Sequence, residues 1–331
     1  MFEYNPQLWG IILAGGEGKR LQPFIRTHYG INAPKQYCAF TGTRSMLRHT
    51  IDRAEMLIKP ERLLTIVSKD HFCHTKDQLA DRPSGTVIVQ PLERQTGPGI
   101  LYPLLHVLQR DPEAIVCLLP SDHFVLNEQS FMEHIDFSSG FVTSNPQSVL
   151  LLGVSPQQPE GGYGWIVPGK QIAGKITKRV NNILQFVEKP DGFTAYQLYQ
   201  KGSLWNTLVV VSKAKKLLKL FKKFTPGIYN AFWGIRNTLG SSLEAPMVEE
   251  MYSRISAMNF SYSILEKNPI GLRTVKVQGS YWNDWGDAAR IQSDIQCFCP
   301  AKKNPAVPMP FAKMPNAAMY AQKLLKGHDI F

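Results

Sequence analysis

The sequence is poor in cysteine. Its 331 residues contain 5 cysteines, an odd number, and only Cys297 and Cys299 lie close together. A single C-x-C pair lacks the second pair that a zinc site needs, and this density is far below that of disulfide-stabilised secreted domains. We therefore expect free thiols in a reducing cytoplasm.

Long apolar runs are also missing. No stretch of about 18 apolar residues occurs, so no transmembrane helix is predicted. The first residues, MFEYNPQLWG, lack a basic segment followed by an apolar one, which argues against a secretory signal and for a cytoplasmic protein. With 19% charged and 44% hydrophobic residues, the composition excludes disordered and collagen-like chains.

Acidic residues are scarce relative to basic ones. The 26 Asp and Glu against 37 Lys and Arg give a net charge of +11, which suits nucleic acid, an anionic membrane or a phosphorylated substrate. One segment, SKAKKLLKLFKKF at 212–224, predicts a basic amphipathic helix with Ser212 as its N-cap. Such a stripe more commonly packs into the core and leaves its lysines solvated, so we expect neither a nucleic-acid partner nor membrane association. A homo-oligomer is compatible with the sequence.

Apolar runs bounded by turn residues alternate with helical patterns, which predicts an α/β domain with a largely parallel sheet. Strands are predicted at 9–14, 62–68, 86–90, 114–119, 148–154, 183–188, 205–211 and 272–278, and helices at 45–58, 97–109 and 129–136. The first of these helices has an apolar stripe, and Ser45 is its predicted N-cap. Most strands are continuously apolar, as expected when both faces of a sheet are covered. We assign 1–295 to this domain and 296–331 to a proline-rich tail with a short helix at 316–326.

A glycine-rich turn, LAGGEGKRL at 13–21, directly follows the first strand. Gly15, Gly16 and Gly18 would let backbone N–H groups approach an anion, and Lys19 and Arg20 add positive charge. Neither the dinucleotide pattern G-x-G-x-x-G nor the Walker pattern fits the turn. By itself it is either a phosphate cradle or an ordinary turn.

An ordered set of further motifs resolves this choice. They read PKQY (34–37), PLERQTGP (91–98), PSDH (120–123), PEGGYG (159–164), FVEKP (186–190), WNTL (205–208), YSILEK (262–267) and WNDWG (282–286). Together with LAGGEGKRLQP (13–23), they make the chain resemble the sugar-phosphate nucleotidyltransferases, or NDP-sugar pyrophosphorylases, and within them the mannose-1-phosphate guanylyltransferase branch. Each motif is weak alone, but their order along most of the chain is specific.

The resemblance implies a Rossmann-like three-layer fold with a mixed, mostly parallel central sheet. It also implies that a sugar-1-phosphate attacks the α-phosphorus of an NTP, giving an NDP-sugar and pyrophosphate, with GTP and GDP-mannose as the first assignment. The nucleophile is already an anion, so the chemistry needs positioning and neutralisation of charge rather than a general base. The implied cofactor is Mg²⁺, and the implied partners are these two small-molecule substrates.

The resemblance assigns roles residue by residue. The catalytic set is Arg20, Lys35, Asp122 and Lys189. The nucleotide set is Leu13, Ala14, Gly15, Gly16, Gly18, Arg20, Lys35, Arg94, Gln95, Thr96, Gly97 and Asp122. The sugar-phosphate set is Gly162, Tyr163, Gly164, Glu188, Lys189 and Asn206. The metal set is Asp122 and Asp284, whose hard oxygens suit Mg²⁺.

Several positions depart from the family pattern. Gln95 replaces an asparagine, Gly161 a threonine and Leu208 a small residue expected near the sugar, and the segment between Arg20 and Lys35 is longer. Base and sugar therefore stay open, and another NTP and sugar-phosphate pair or a non-catalytic nucleotide-sugar-binding relative are the alternatives. A glycosyltransferase is disfavoured because Asp122 does not belong to an Asp-x-Asp motif.

Overall fold

The computed structural model describes residues 4–175 and 178–298. The predicted tail from 299 onwards, with its helix at 316–326, lies outside the described residues. The predicted domain boundary after residue 295 falls inside the last helix, Ala288–Phe298, so 296–298 continue the domain rather than begin a tail.

Two sheets contain all strands of the described residues. The strands are β1 Leu8–Ala14, β2 Leu63–Ser68, β3 Val87–Gln90, β4 Ile115–Pro120, β5 Phe124–Val125, β6 Val149–Val154, β7 Gly164–Lys175, β8 Lys178–Glu188, β9 Leu204–Lys213, β10 Leu272–Lys276 and β11 Trp282–Asn283. Nine form one sheet in the order β3-β2-β1-β4-β9-β6-β10-β8-β7, and β5 pairs with β11. In the large sheet β8 and β9 run opposite to the other strands, so the sheet is mixed and mostly parallel, as predicted.

Helices cover both faces of the large sheet. They are α1 Gln22–Tyr29, α2 Met46–Glu55, α3 Phe72–Thr75, α4 Thr96–Arg110, α5 Glu128–Ser144, α6 Gly192–Gln200, α7 Ala214–Phe224, α8 Pro226–Ile235, α9 Glu244–Arg254 and α10 Ala288–Phe298. Short 3-10 turns and one π turn at Ser261–Leu265 complete the described secondary structure.

The core has two apolar layers, one on each face of the large sheet. Successive residues of a strand point to opposite faces, so Ile12 joins the layer with α2 and α5, whereas Ile11 joins the layer with α4, α7, α8 and α9. Strands β2, β4 and β6 are buried at every position. This confirms the three-layer arrangement that continuous apolar runs predict.

Every strand and helix predicted within the described residues is present, but two points differ from the prediction. The long edge strand β7 was not predicted, because Pro168 and Gly169 interrupt it and register shifts there break its alternation. Ser212 is not an N-cap: it lies in β9, is buried and donates from its hydroxyl to the Ser148 carbonyl, and α7 begins at Ala214. Ser45 does cap α2, accepting from the Arg48 N–H at 3.2 Å.

The basic segment packs as an ordinary amphipathic helix. Leu217, Leu220 and Phe221 of α7 are buried against the core. Two lysines of the basic segment, Lys213 and Lys215, contact Glu113. The apolar stripe is therefore occupied by protein, and across residues 4–175 and 178–298 we find no helix with the length and apolarity to cross a bilayer.

A bulge in β9 places Leu208 at a backbone angle that side chains avoid. Its φ is 56°, and the register of β9 on β6 shifts at this point. The Asn206 side chain accepts from the Leu208 N–H at 3.2 Å and Thr207 accepts from the Val209 N–H at 3.2 Å, so neighbouring side chains hold the bulge. The Leu208 side chain packs against the α4 and α7 layer.

We expect Leu208→Gly to be more stable than Leu208→Ala by about 1 kcal/mol. Both variants lose the part of the Leu208 side chain beyond Cβ, but only glycine adopts the left-handed backbone conformation without strain. Thermal or urea unfolding of the two variants measures the difference. Val211, at a regular position of β9, is the control, because there the alanine variant should be more stable than the glycine variant by about 0.5–1 kcal/mol. The same order at both positions would contradict a strained Leu208.

Candidate active site

The candidate site lies at the carboxyl ends of β1 and β4, where the loops that follow parallel strands meet. The glycine turn leaves β1, and the PSDH segment leaves β4. Ser121 joins the two loops, because its N–H and its hydroxyl both donate to the Leu13 carbonyl, at 3.2 and 2.8 Å. The predicted nucleotide residues Leu13 to Gly18 therefore lie beside Asp122.

Side chains of the PKQY motif donate hydrogen bonds to the backbone of the glycine turn. The Gln36 amide donates to the carbonyls of Ala14 and Gly16 at 3.1 and 2.6 Å, and the Tyr37 hydroxyl donates to Ala14 at 2.7 Å. Both side chains are buried. These bonds hold the carbonyls of Ala14 and Gly16 and so fix the path of the turn. Gln36 and Tyr37 are positioning residues that the sequence analysis did not assign.

Lys35 joins the two loops that carry the predicted metal carboxylates. It is 5% exposed, and its ammonium contacts Asp122 Oδ2 at 2.8 Å. The same ammonium donates to the carbonyl of Asp284 and, at 3.2 Å, to that of Trp285. Its three protons are thus bonded within the protein, between the loops that carry Asp122 and Asp284, rather than open to solvent.

The small β5–β11 sheet explains why Asp284 arrives there. Trp282 pairs with Val125 and Asn283 with Phe124, so the antiparallel register continues Asp284 alongside the PSDH segment. The Trp282 indole donates to His123 Nδ1 at 3.2 Å. Burial lowers the pKa of His123 to about 4, so it is a neutral acceptor at physiological pH.

The charge of Asp122 is maintained by its neighbours. Burial acts to raise the pKa of this carboxyl, but the charge and the hydrogen bond of the Lys35 ammonium act against it, and the pKa lies below its ordinary value. The side chain is still 37% exposed, so an anionic oxygen faces the open side of the site.

Asp284 is oriented by three donors to a single oxygen. Its Oδ1 accepts from the Tyr163 hydroxyl at 2.6 Å, from Arg290 at 2.9 Å and from the Gly286 N–H at 2.9 Å. This leaves Oδ2 as the oxygen available to a cation. Arg290 also donates to Glu160 at 2.6 Å and lies 4.9 Å from the Tyr163 ring centre, so it links this loop to the predicted sugar loop.

The predicted sugar-phosphate residues converge on one point. Gly164 of β7 pairs with Glu188 of β8, and a Cβ added to Gly164 would lie 2.7 Å from Glu188 Oε2 and 3.4 Å from the Asn206 Cβ. The Lys189 N–H donates to the Tyr163 carbonyl at 3.1 Å. Burial raises the pKa of Glu188 despite the nearby Lys189 ammonium. The Gly162 N–H donates to the Glu160 carboxylate at 2.9 Å.

Two of the four predicted catalytic residues present free cations. Lys189 is 56% exposed, with its ammonium 4.0 Å from Glu188. Arg20 is exposed beside the glycine turn and makes no ion pair with the residues the structure describes. Both are therefore available to bind phosphate, unlike Lys35.

The loop from Arg94 to Gly97 is held by hydrogen bonds to the segment from Tyr252 to Phe260. Arg94 Nε donates to the Tyr252 carbonyl at 3.1 Å, and the Gly97 N–H donates to the Met258 carbonyl at 2.8 Å. A Cβ on Gly97 would lie only 2.8 Å from that carbonyl oxygen, so the close approach requires glycine. The Thr96 hydroxyl accepts from the Phe260 N–H at 2.9 Å.

Gln90 connects that loop with the glycine turn. This residue ends β3 and is buried beneath Gly15, whose added Cβ would lie 2.5 Å from its amide nitrogen. Gly99 of α4 lies on its other side, 3.6 Å from Oε1 by the same measure. Oε1 is buried and has no hydrogen-bond partner among the described residues. The sequence analysis missed Gln90, although a polar residue at the end of a buried strand is a usable signal.

Backbone strain is concentrated in the motifs. Within the described ranges, the non-glycine residues with positive φ are Gln95, Lys189, Leu208 and Trp285, at 63°, 47°, 56° and 47°. Each lies in one of the motifs that carry the resemblance. Residues held in this region persist only where surrounding contacts impose it, and they cluster at functional sites. No sequence pattern predicted these angles.

Asp294 of α10 anchors the WNDWG loop from outside the motif. It is 5% exposed and accepts from Tyr281, Asn283 and the Trp285 indole at 2.7, 2.9 and 2.7 Å. Burial raises the pKa of this carboxyl, although its three donors act against the shift. Asp294, like Gln36 and Tyr37, is a positioning residue that was not predicted.

The raised pKa of Asp294 gives stability a predictable pH dependence. Between the carboxyl's ordinary value, about 4, and its higher folded value, the folded state binds more protons, so the contribution of Asp294 to stability falls as pH rises. We expect the unfolding free energy of wild type minus that of Asp294→Asn to decrease from pH 4 to pH 7. Unfolding of both proteins across this range tests it, and a difference that rises with pH would contradict the assignment.

A divalent cation fits this site through two carboxylates only. The described residues contain no group of three or more His, Cys, Asp or Glu side chains arranged to hold a metal. Asp122 and the free Oδ2 of Asp284 are hard oxygen ligands at one edge of the site, a set that suits Mg²⁺ when substrate phosphates and water complete its coordination. His71 is buried, and its Nδ1 lies 3.4 Å from the Tyr37 hydroxyl, so it is part of the core rather than a metal ligand.

Comparison with known proteins gives consistent matches. The family model described as nucleotidyl transferase matches residues 9–293. Mannose-1-phosphate guanylyltransferase 2 of Escherichia coli O157:H7 is 27% identical over 266 residues, which are 78% of this chain and 54% of that protein. The alginate biosynthesis protein AlgA of Pseudomonas syringae is 29% identical over 226 residues, 66% of this chain and 44% of that protein. This chain spans about half the length of the curated relatives it matches.

Solved structures share the fold. A Thermus thermophilus protein described as a mannose-1-phosphate geranyltransferase superposes with a TM-score of 0.72 at 26% identity, covering 87% of this chain and 79% of its own. A Helicobacter pylori protein described as mannose-6-phosphate isomerase has a TM-score of 0.65 at 17% identity, covering 84% of this chain and 99% of its own. The predicted nucleotide-sugar transferase fold is confirmed.

Proposed function

Because the chain belongs to the nucleotidyl transferase family, we propose that it transfers a nucleotidyl group from an NTP to a sugar-1-phosphate and releases pyrophosphate. GTP and mannose-1-phosphate are the proposed substrates, and GDP-mannose the proposed product. The observation that carries the proposal is the junction at Lys35, which joins the loops of Asp122 and Asp284.

The reaction is one displacement at phosphorus. An oxygen of the sugar phosphate forms a bond to the α-phosphorus while the bond to the bridging oxygen breaks, and pyrophosphate leaves with that electron pair. Both partners are anions, so the protein's task is to align them and neutralise charge. The exposed guanidinium of Arg20, beside the N–H groups of the glycine turn, would bind the triphosphate.

On the other side of the site, Lys189 would bind the sugar phosphate. Its ammonium is exposed, and the buried carboxyl of Glu188 beside it would accept hydrogen bonds from sugar hydroxyls. Gly164 lets β7 lie close against Glu188 and Asn206, since a Cβ there would lie 2.7 Å from Glu188 Oε2 and 3.4 Å from the Asn206 Cβ. Arg20 and Lys189 would therefore place positive charge near the triphosphate and near the sugar phosphate.

Asp122 and Asp284 would hold Mg²⁺. When bound, the ion would neutralise the phosphates as they exchange partners. The chain's own contribution is to orient the ligands: Lys35 holds Asp122, whereas Tyr163, Arg290 and Gly286 hold Oδ1 of Asp284 so that Oδ2 stays free.

The choice of guanine and mannose is supported by the relatives that the chain matches, several of which are named mannose-1-phosphate guanylyltransferases.

A substrate matrix tests the proposal. The full chain is incubated with Mg²⁺ and each pairing of GTP, ATP, UTP, CTP or dTTP with mannose-1-phosphate, glucose-1-phosphate or other hexose-1-phosphates, and pyrophosphate is measured. The expected result is release with GTP and mannose-1-phosphate above all other pairs. Release with another pair would reassign base or sugar, and release with none would overturn catalysis in favour of a binding role.

A further inference from the structure

The guanidinium of Arg290 bridges the two loops that carry predicted sugar and metal residues. Arg290 lies on α10, outside every motif. Its Nη2 donates to Glu160 Oε2 at 2.6 Å, and its Nη1 donates to Asp284 Oδ1 at 2.9 Å. Glu160 belongs to the sugar loop, residues 159–164, and Asp284 is a proposed ligand of the cation. One side chain therefore connects two parts of the site that lie far apart in the sequence.

This bridge is rigid. A guanidinium is planar and its nitrogens keep fixed angles, so the two carboxylates that it bonds are held in one relative orientation. The side chains of Arg290, Asp284 and Glu160 are only 20%, 26% and 27% exposed, so salt screens these pairs less than pairs at the open surface. The Arg290 Nε pairs with Asp287 at 3.0 Å, next to the start of α10, and that contact holds Arg290 to its own segment.

The sugar loop holds Glu160 from its other side. Glu160 Oε1 accepts from the Gly162 N–H at 2.9 Å, and the Glu160 carbonyl accepts from the Trp165 indole at 2.9 Å. The Tyr163 carbonyl accepts from the Lys189 N–H at 3.1 Å, which attaches the loop to the residue proposed to bind the sugar phosphate. The position of the Glu160 carboxylate is thus tied to the conformation of the sugar loop.

Asp284 closes a ring of contacts. The Tyr163 hydroxyl donates to Asp284 Oδ1 at 2.6 Å, and Arg290 Nη1 donates to the Tyr163 oxygen at 2.5 Å. The ring runs from Tyr163 to Asp284, from Asp284 to Arg290, from Arg290 to Glu160, and back along the sugar loop. Oδ1 of Asp284 is bonded within this ring, so the ring determines where Oδ2, the oxygen proposed to face the cation, points.

We propose that Arg290 is a positioning residue through which the sugar phosphate and the divalent cation promote each other's binding. A sugar phosphate that orders the sugar loop places Glu160, and Arg290 then orients Asp284 for the cation. The effect is reciprocal, because a coupling free energy between two ligands changes both affinities by the same factor. The inference rests on the proposed function, which assigns the two ligands, but neither that assignment nor the family match gives Glu160 and Arg290 a role in linking them.

Calorimetry on a complex that cannot react measures this coupling. The full chain is saturated with a GTP analogue in which a methylene group replaces the oxygen between the α- and β-phosphorus, so pyrophosphate cannot leave. Mannose-1-phosphate is then titrated in with saturating Mg²⁺ and, separately, with a chelator and no Mg²⁺. For wild type we expect binding to be at least about fivefold tighter with Mg²⁺, at the lower end of the usual coupling between two ligands.

Glu160→Gln is the decisive variant. Its amide oxygen would keep the bond from the Gly162 N–H, so the –NH₂ group would face the Arg290 guanidinium and break the bridge. Glu160 makes no hydrogen bond to Asp284 within the described residues, yet this variant should reduce the effect of Mg²⁺ to less than about twofold. Arg290→Gln should do the same, and the double variant should show no further loss, because both changes break one bridge.

Glu250→Gln is the matched control. It removes an ion pair of the same length, Arg254 to Glu250 at 2.6 Å, whose side chains are 76% and 53% exposed. That pair joins two residues of one helix, α9, rather than two loops of the site. The effect of Mg²⁺ on mannose-1-phosphate binding should therefore stay at its wild-type value in Glu250→Gln.

Two results would overturn the coupling while the proposed function stands. One is that Mg²⁺ does not change mannose-1-phosphate binding by wild type, and the other is that its effect in Glu160→Gln is as large as in wild type. Thermal unfolding of each variant shows that folded proteins are compared. If wild type does not bind mannose-1-phosphate under either condition, both the coupling and the proposed sugar phosphate fail.

Discussion

Asp122→Asn and Asp284→Asn are each expected to lower the rate of pyrophosphate release by about 10²–10³-fold or more, while the fold stays intact. In Asp284→Asn, the donors from Tyr163, Arg290 and Gly286 would orient the amide oxygen as they now orient Oδ1, so an –NH₂ group replaces the free Oδ2. The variant thus keeps its loop and loses only the oxygen proposed to face the cation. Asp122→Asn loses the anionic charge that Lys35 stabilises.

Rates at increasing Mg²⁺ concentration are the measurement, since both variants should also require more Mg²⁺ for half-maximal activity. Asp287→Asn is the matched control: this carboxylate pairs with Arg290 at 3.0 Å but is 51% exposed and lies outside the proposed ligands, so its rate should stay near wild type. Near-normal rates for both Asp122→Asn and Asp284→Asn would show that the proposed metal site is misplaced.

Lys35→Met is expected to lower both activity and stability. The ammonium is 5% exposed and joins the Asp122 carboxylate to two carbonyls, and methionine of similar shape provides no donor. Leaving these acceptors unsatisfied should cost about 1–3 kcal/mol of unfolding free energy. Activity should fall at least about 100-fold, because the loops of Asp122 and Asp284 lose their shared contact.

Thermal unfolding and pyrophosphate release, measured on the same preparation, check this result. Lys19→Met is the control, because Lys19 pairs with Glu17 in the neighbouring turn but its side chain is 74% exposed, and surface pairs contribute about 0–1 kcal/mol. Lys19→Met should therefore unfold close to wild type. An equally small loss of stability in Lys35→Met would mean that the junction does not hold the two loops.

The fold was predictable from the sequence to the extent that it depends on local patterns. Continuous apolar runs predicted strands covered on both faces, and β2, β4 and β6 are buried throughout. The Ser45 cap and the apolar stripe of α2 were equally readable. Strand β7 was missed because Pro168, Gly169 and the register shifts around them interrupt the alternation on which prediction relies.

The site was predictable only as a set of residues. The motifs named Asp122, Asp284 and Lys35, but nothing in their spacing states that a lysine ammonium joins them. That junction depends on β5 and β11, two strands of two residues each, which are too short to show any period. Arg290 and Asp294 lie outside every motif, so their contacts with Asp284 and the WNDWG loop had no signal in the sequence.

The sequence by itself therefore determined the residue types, their order and the strands that carry them, because these follow from hydrophobic period and from motifs local to the chain. Only the tertiary structure decided which polar groups stay accessible: Oδ2 of Asp284 and the exposed cations of Arg20 and Lys189. The physical reason is that a polar group's availability depends on every neighbour that could bond to it. Those neighbours come from distant parts of the chain and meet only when the layers pack.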